Sequence, residues 1–320
     1  MSLEILFIVA PVFLLIGIGY LVARFGLLSP EVGEALGQFV YVIAIPVLLF
    51  KTLSTVDLGG ETPWALWATY FGGVFINWTI AALMIRKVFH RDARACAIAG
   101  ISSSFANTVM VGLPLVSAVY GDEGMTALLL ILSIHLPVMT VLIAVIMERA
   151  AQSDGVGEGS SLRQTLKSVL KSLATNPIVI GLLAAVVWRL FGLPVTGILK
   201  DVLERIAGTA LPVALLSLGM SMVAYGIRGN LIPGILLSSL KVAVMPALVF
   251  CLGAFVFNLS PLWTSVATLT AACPTGVNAY IFANKYGTGH AMSSNSITLT
   301  TLFAVLTTGM WGSFLHMWSG

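Results

Sequence analysis

The amino-acid sequence predicts an all-α membrane protein with ten transmembrane helices in an inverted 5+5 repeat. Three observations carry this prediction. The 320 residues are 58% hydrophobic and only 9% charged, whereas soluble domains average about 25% charged residues. Ten apolar stretches are long enough to cross a bilayer, which takes about 20 residues each. Short motifs also recur at a constant spacing in the two halves of the chain.

The ten predicted spans are joined by short loops. They lie near residues 5–24, 34–53, 64–86, 95–119, 125–147, 173–191, 206–226, 232–256, 262–284 and 291–315. No basic segment precedes the first apolar run, so we predict a retained span rather than a cleaved signal peptide. With the N-terminus outside, 11 basic residues fall in cytoplasmic loops and 4 on the opposite side. This bias predicts a multi-pass protein of the cell inner (plasma) membrane with both termini outside.

The recurring motifs are separated by 166 residues. Phe25-Gly26-Leu27 returns as Phe191-Gly192-Leu193, and Tyr120-Gly121 returns as Tyr286-Gly287. Both pairs fall at the ends of corresponding predicted spans. Recurrence at matching structural points, without a gap, predicts a tandem repeat.

The repeat divides the chain into three parts. Residues 1–150 form the first five-helix repeat, 151–166 a Gly- and Ser-rich cytoplasmic linker, and 167–320 the second repeat. Because each repeat has an odd number of spans, the second copy enters the membrane in the opposite orientation. Inverted repeats are the architecture of many secondary transporters, which place their site where the repeats meet.

The fourth predicted span is a poor continuous helix. Ala106 marks the expected break, followed by the amide of Asn107 and by Thr108, and Gly112 and Pro114 weaken the helix beyond. Irregular backbone at membrane depth is tolerated where it is buried in protein or lines a cavity. The segment is therefore either a ligand site or a Pro-kinked packing helix.

The ninth span has a similar interruption at the corresponding place in its repeat. Pro274, Thr275 and Gly276 precede a second buried amide, Asn278. Half-helices that follow such breaks present free N–H groups that suit an anion, whereas the freed carbonyls suit a cation. Paired interruptions indicate a transport site. The alternative for each Asn is an interhelical hydrogen bond worth about 1 kcal/mol.

Two basic side chains also fall within predicted spans. Lys241 lies in the eighth span, where it either snorkels to the membrane edge or acts as a fixed charge that attracts an anion or replaces a bound cation. His135 lies in the fifth span, where it is either a neutral structural residue or a side chain that binds a carboxylate or carries a proton.

Other residue types narrow the function. All thirteen Asp and Glu residues fall in loops or at span ends, which counts against a carboxylate proton relay and weakens a sodium site. Cys96, Cys251 and Cys273 show no paired spacing, so neither a disulfide nor a metal site is predicted. The sequence contains no enzyme motif and implies no cofactor. An electropositive cavity for an organic anion fits this inventory.

The order of motifs resembles that of the auxin efflux carrier family, which includes the plant PIN-FORMED auxin transporters and many bacterial carriers. The strongest match is Asn107-Thr108, Gly112-Leu113-Pro114-Leu115 and Tyr120-Gly121. Lys241 with Pro246, and Pro274-x-Gly276, are also similar, and the resemblance covers essentially the whole chain. This sequence departs from the plant pattern at Ala106, where those members have Pro, and in its much shorter linker.

The resemblance implies a scaffold of helices 1, 2, 6 and 7, often dimeric, and a transport unit built from helices 3–5 and 8–10. Helices 4 and 9 would cross at their breaks beside the substrate. It implies elevator-type efflux of auxin or other small carboxylates. The alternatives are a sodium- or proton-coupled symporter of the bile-acid type and a membrane receptor that binds a ligand without moving it.

Overall fold

A computed structural model describes residues 3–55, 63–156, 167, 170–171, 173–225, 229 and 231–319. Most of the predicted linker therefore lies outside the described residues. The described part of the chain is almost entirely helical and contains no β-strand, only one isolated bridge. An all-α membrane fold is therefore confirmed at this level.

The described residues form a series of α-helices. They are α1 Leu3–Arg24, α2 Pro30–Phe39, α3 Ile45–Thr55, α4 Pro63–Phe89, α5 Ala93–Ser104, α6 Leu113–Ser153, α7 Pro177–Leu190, α8 Gly197–Tyr225, α9 Leu231–Ser239, α10 Met245–Cys251, α11 Pro261–Ala272, α12 Asn278–Tyr286 and α13 His290–Ser319. The wider π-helical turns are Val40–Ala44, Thr108–Gly112, Leu240–Val244 and Leu252–Val256.

Seven helices within the described residues are long and apolar enough to cross a membrane. The number is below ten because three predicted spans are not single long rods. The fourth is interrupted and then continues through a kink at Gly121 into the fifth, over Thr108–Ser153, and the ninth is interrupted as well. The sixth appears as the shorter apolar helix Pro177–Leu190.

Three of the π-helical turns end two residues before a proline, at Pro46, Pro114 and Pro246. Proline has no N–H to donate to the carbonyl four residues earlier, so the preceding turn widens. Before Pro246 the carbonyl left over is that of Val242, and it accepts a hydrogen bond from Trp311 Nε1 at 2.9 Å. The kinks therefore follow from the sequence, and a neighbouring helix satisfies the exposed backbone.

Glycine permits close approach between the helices predicted to form the scaffold. A side chain at Gly181 of α7 would place its Cβ 2.7 Å from the carbonyl oxygen of Pro46 in α3. Gly19 of α1 and Gly219 of α8 likewise face opposing backbone, at Leu216 and Ile16. These contacts press α1 against α8 and α3 against α7, because small residues let backbones meet.

Candidate functional site

The first interruption lies where the sequence predicts it. Helix α5 ends at Ser104, and Phe105 is extended, with φ −82° and ψ 103°. Helical backbone resumes after Asn107, whose Oδ1 accepts a hydrogen bond from Met110 N at 3.3 Å. Its backbone oxygen accepts from Val111 N and Gly112 N. Asn107 therefore caps the second half-helix.

The second interruption lies between α11 and α12, and it meets the first. Asn107 N donates to Pro274 O at 2.8 Å, and Gly276 N donates to Phe105 O at 2.8 Å. These two bonds form an antiparallel bridge centred on Ala106 and Thr275. The crossover therefore satisfies backbone groups that both breaks expose deep inside the protein.

Pro274, Thr275 and Gly276 build this crossover. Thr275 is fully buried, and its Oγ1 donates to Ser102 O at 2.8 Å while its N–H donates to Thr300 Oγ1 at 2.9 Å. A Cβ at Gly276 would lie 2.8 Å from the Phe105 ring. Glycine is therefore required there because two extended backbones and an aromatic ring converge.

A cavity of about 410 Å³ lies beside the crossover. Its walls come from both interruptions, from the middle of α6, from the start of α7 and from the α2 end of the second predicted span. The lining residues are Gly37, Gln38, Tyr41, Phe105, Ala106, Asn107, Thr108, Val109, Met110, Leu132, His135, Leu136, Ile178, Gly276, Val277, Asn278 and Ile281. The structure thus brings together Asn107, Thr108, His135, Gly276 and Asn278 of the predicted site.

The cavity offers polar groups without a fixed charge. Asn107 is 6% exposed and its Nδ2 has no hydrogen-bond partner. His135 is 2% exposed, both of its ring nitrogens lack partners, and its ring centroid lies 4.8 Å from that of Phe105. Among the described residues no Lys, Arg, Asp or Glu lines the cavity. Such buried groups are costly unless a ligand or water satisfies them.

Comparison with known proteins decides the family. The membrane transport protein family matches residues 5–312. The chain belongs to this family. A protein described as an uncharacterized transporter from Methanothermobacter thermautotrophicus is 25% identical over 96% of this chain and 97% of its own length. The putative malonate transporter of Rhizobium meliloti is 23% identical, over 95% and 93%. Auxin efflux carrier component 8 of Arabidopsis thaliana is 24% identical, over 93% and 94%.

The match confirms the resemblance to the auxin efflux carriers. The protein is a multi-pass membrane transporter rather than an enzyme, since the family and these relatives are transporters. The apolar helices of the described part agree with that placement.

Lys241 of this transporter does not line the cavity. It is fully buried, and its Nζ donates to the carbonyl oxygen of Ala271, in the last turn of α11. It therefore does not snorkel to a membrane edge. At the other break Asn77 donates from Nδ2 to Ser103 O at 2.8 Å, in the last turn of α5. The last turn of α11 therefore receives a hydrogen bond from the ammonium of Lys241. The last turn of α5 receives one from the amide of Asn77.

The remaining predicted helix-break residues lie beyond the interruption. Gly112 ends the π-helical turn and Pro114 sits in the first turn of α6. Two polar residues of the cavity were not predicted, namely Gln38 and Tyr41, and neither were most of its apolar lining residues. The Tyr41 hydroxyl accepts from Asn176 Nδ2 at 2.6 Å. An isolated amide in an apolar span was the available signal for Gln38, whereas a tyrosine in such a span is too common to indicate a site.

Proposed function

We propose that this transporter is a secondary carrier that moves small organic anions, such as auxin or related carboxylates, and binds them in the crossover cavity. The observation that carries this proposal is the meeting of the two interrupted helices beside buried, unpartnered polar groups. The half-helices that begin at Thr108 and Asn278 both start at this cavity. Their free N–H groups and positive dipole ends favour an anion.

The polar groups suit a carboxylate held by hydrogen bonds. Asn107 Nδ2 is a donor without a partner, and Thr108 and Asn278 add donors on the same wall. Leu132, Leu136 and other aliphatic side chains cover the rest of the cavity. A small acid could therefore place its carboxylate against the polar donors and its apolar body against the aliphatic walls. Two relatives are described as a putative malonate transporter and an auxin efflux carrier, and both descriptions point to small carboxylates.

We further infer ten spans in an inverted 5+5 repeat. The glycines of the recurring motifs have positive φ in both halves. Gly26 and Gly192 have φ of 69° and 61°, and Gly121 and Gly287 have φ of 57° and 66°. At each position glycine ends or kinks a helix in a conformation that other residues avoid. Positive φ at matched spacing supports a structural repeat. The conformations are not identical, because ψ is −149° at Gly121 and 26° at Gly287.

The same proposal assigns α1, α2, α3, α7 and α8 to a scaffold and the remaining helices to a transport unit that moves in an elevator manner. The close glycine contacts of α1 with α8 and of α3 with α7 support a rigid scaffold. We expect two copies of the chain to form a homodimer through the scaffold. Native mass spectrometry of the purified protein should then give the mass of two chains.

Proteoliposomes test the substrate and the site. The protein should move labelled auxin or labelled malonate, and Asn107→Ala combined with Asn278→Ala should abolish the flux. Asn284→Ala removes an exposed amide of α12 and is the matched control. Full transport by the double variant would overturn the site, and no flux of any small carboxylate would overturn the function.

Coupling to sodium or protons is the second candidate. The unpartnered ring nitrogens of His135 in the cavity favour a proton as the coupling ion. Lys241 counts against sodium, because its ammonium already occupies a carbonyl at the end of α11 where a cation would bind. An imposed sodium gradient or pH step should drive uphill uptake if coupling exists. Equal rates with and without each gradient would exclude it.

A further inference from the structure

A second cavity, of about 420 Å³, shares no lining residue with the crossover cavity. It runs between the last turns of α4 and α6 and the first turns of α5. Asp154, just after α6, accepts hydrogen bonds from Ala93 N at 2.9 Å and Arg94 N at 3.0 Å. These bonds hold the end of α6 against the start of α5, next to the groove residues Ala93 and Ser153.

The groove combines apolar walls with two arginines. Trp78, Leu83 and Ile146 line its sides. Arg86 and Arg149 stand on its rim and are exposed. Both flanking helices are candidate membrane spans, so the walls face acyl chains while the arginines lie at the level of a helix end.

Arg86 and Arg149 differ from Arg94, which lies in the first turn of α5. Arg94 pairs with Asp154 at 3.3 Å and with Asp92 at 3.8 Å. Within the described residues neither Arg86 nor Arg149 has a carboxylate within ion-pair distance. Arg86 donates only to a backbone oxygen, that of Arg91, at 3.2 Å. Two guanidinium groups are therefore left to attract an anion.

We propose that this groove binds the headgroup of an anionic phospholipid, with one acyl chain along the Trp78 wall. Guanidinium groups match phosphate oxygens in a bidentate manner. Basic pockets between transmembrane helices are a known way to hold anionic headgroups. The positive-inside bias places this end in the cytoplasmic leaflet, where anionic lipids are abundant. The site is separate from the crossover cavity and does not depend on the transported substrate.

The experiment measures lipid affinity by native mass spectrometry of the purified full-length chain. Phosphatidylglycerol and phosphatidylcholine of equal chain length are the probes. The wild type should bind phosphatidylglycerol more tightly. Each of Arg86→Gln and Arg149→Gln should weaken that binding about fivefold, and the double variant should bind both lipids equally. Lys87→Gln with Lys285→Gln removes two exposed charges outside the groove and should keep the preference.

Two outcomes would overturn the proposal. One is equal binding of both lipids by the wild type, and the other is an unchanged preference in the double variant. Glycerol phosphate distinguishes a lipid from a free phosphate, since competition by glycerol phosphate as strong as by the whole lipid would show a soluble-anion site instead. An unchanged unfolding temperature in detergent confirms that the variants are folded.

Discussion

At the scale of single residues, burial without a counter-charge sets Lys241 apart. It is fully buried, its donor contact is to a backbone carbonyl, and no Asp or Glu is predicted within a span. Burying a charge costs several kcal/mol unless it is paired. A charge kept under these conditions is typical of a functional residue. It contributes positive potential near a cavity that carries no charge of its own.

We therefore expect Lys241→Met to separate stability from binding. The loss of a donor to Ala271 costs about 1 kcal/mol, and relief from burying an ammonium offsets or exceeds it. The unfolding temperature should stay the same or rise. Anion affinity should fall about fivefold to tenfold, because charge acts strongly in a low dielectric. Thermal unfolding and ligand titration measure the two effects.

Lys51→Met is the matched control for this change. Lys51 is partly exposed and pairs with Glu204 at 3.6 Å near the molecular surface. Its removal should therefore alter neither the unfolding temperature nor the anion affinity. A drop of many degrees for Lys241→Met would show that the lysine holds the fold together and does not serve the anion.

At the scale of elements, the crossover depends on the fit of two extended segments. Gly276→Ala should force Phe105 or the bridge to shift, because the added Cβ would lie 2.8 Å from the ring and 3.3 Å from Ala106 O. Overpacking of this kind costs about 1–3 kcal/mol. We expect a lower unfolding temperature and weaker anion binding. Gly208→Ala, where nothing lies within 4 Å of the added Cβ, should be neutral or stabilising.

The crossover would be less constrained than inferred if both alanine variants behaved alike in thermal unfolding. The comparison is informative because both substitutions add one methyl group to the same protein. They differ only in what that methyl group meets.

The junction of α5 and α6 makes a pH-dependent prediction. Burial raises the pKa of Asp154, but hydrogen bonds from Ala93 N–H, Arg94 N–H and the Arg94 guanidinium outweigh it, so the pKa lies below its usual value. A lowered folded-state pKa adds stability above the usual value, and this stability is lost as the pH falls through the folded-state value. Asp154→Asn should cost about 1–2 kcal/mol at pH 6.

The difference between wild type and Asp154→Asn should shrink as the pH is lowered below about 4, where the wild-type carboxylate takes up its proton. Unfolding temperatures at pH 6 and pH 3 measure it. Asp201→Asn, on the exposed face of α8, is the control and should leave the unfolding temperature at pH 6 unchanged. A constant difference between Asp154→Asn and the wild type at both pH values would contradict the assignment.

At the scale of the whole molecule, the proposed inverted repeat requires that both termini lie on one side and the linker on the other. In a variant without native cysteines, Ser319→Cys should react with a membrane-impermeant thiol reagent applied outside intact cells. Gln152→Cys, at the exposed end of α6, should react only after permeabilisation. Labelling of both positions from the same side would contradict the inverted arrangement.

The sequence by itself determined the class, the two interruptions and most of the polar residues that line the cavity. Composition indicates a membrane protein because a bilayer is the solvent that tolerates so much apolar surface. Proline, glycine and asparagine predict where helices break, because those residues alter local hydrogen bonding whatever surrounds them. Asn107, Thr108, His135, Gly276 and Asn278 were therefore found before any contact was known.

Only the tertiary structure decided which of these groups face the cavity and which face each other. Thr275 and Pro274 form the bridge, and Lys241 donates to Ala271. Gln38 and Tyr41 enter the cavity from the second predicted span. A side chain's partner depends on the rotation and depth of packed helices. Periodicity within one helix does not specify these quantities, since they arise from contacts between segments distant in the chain.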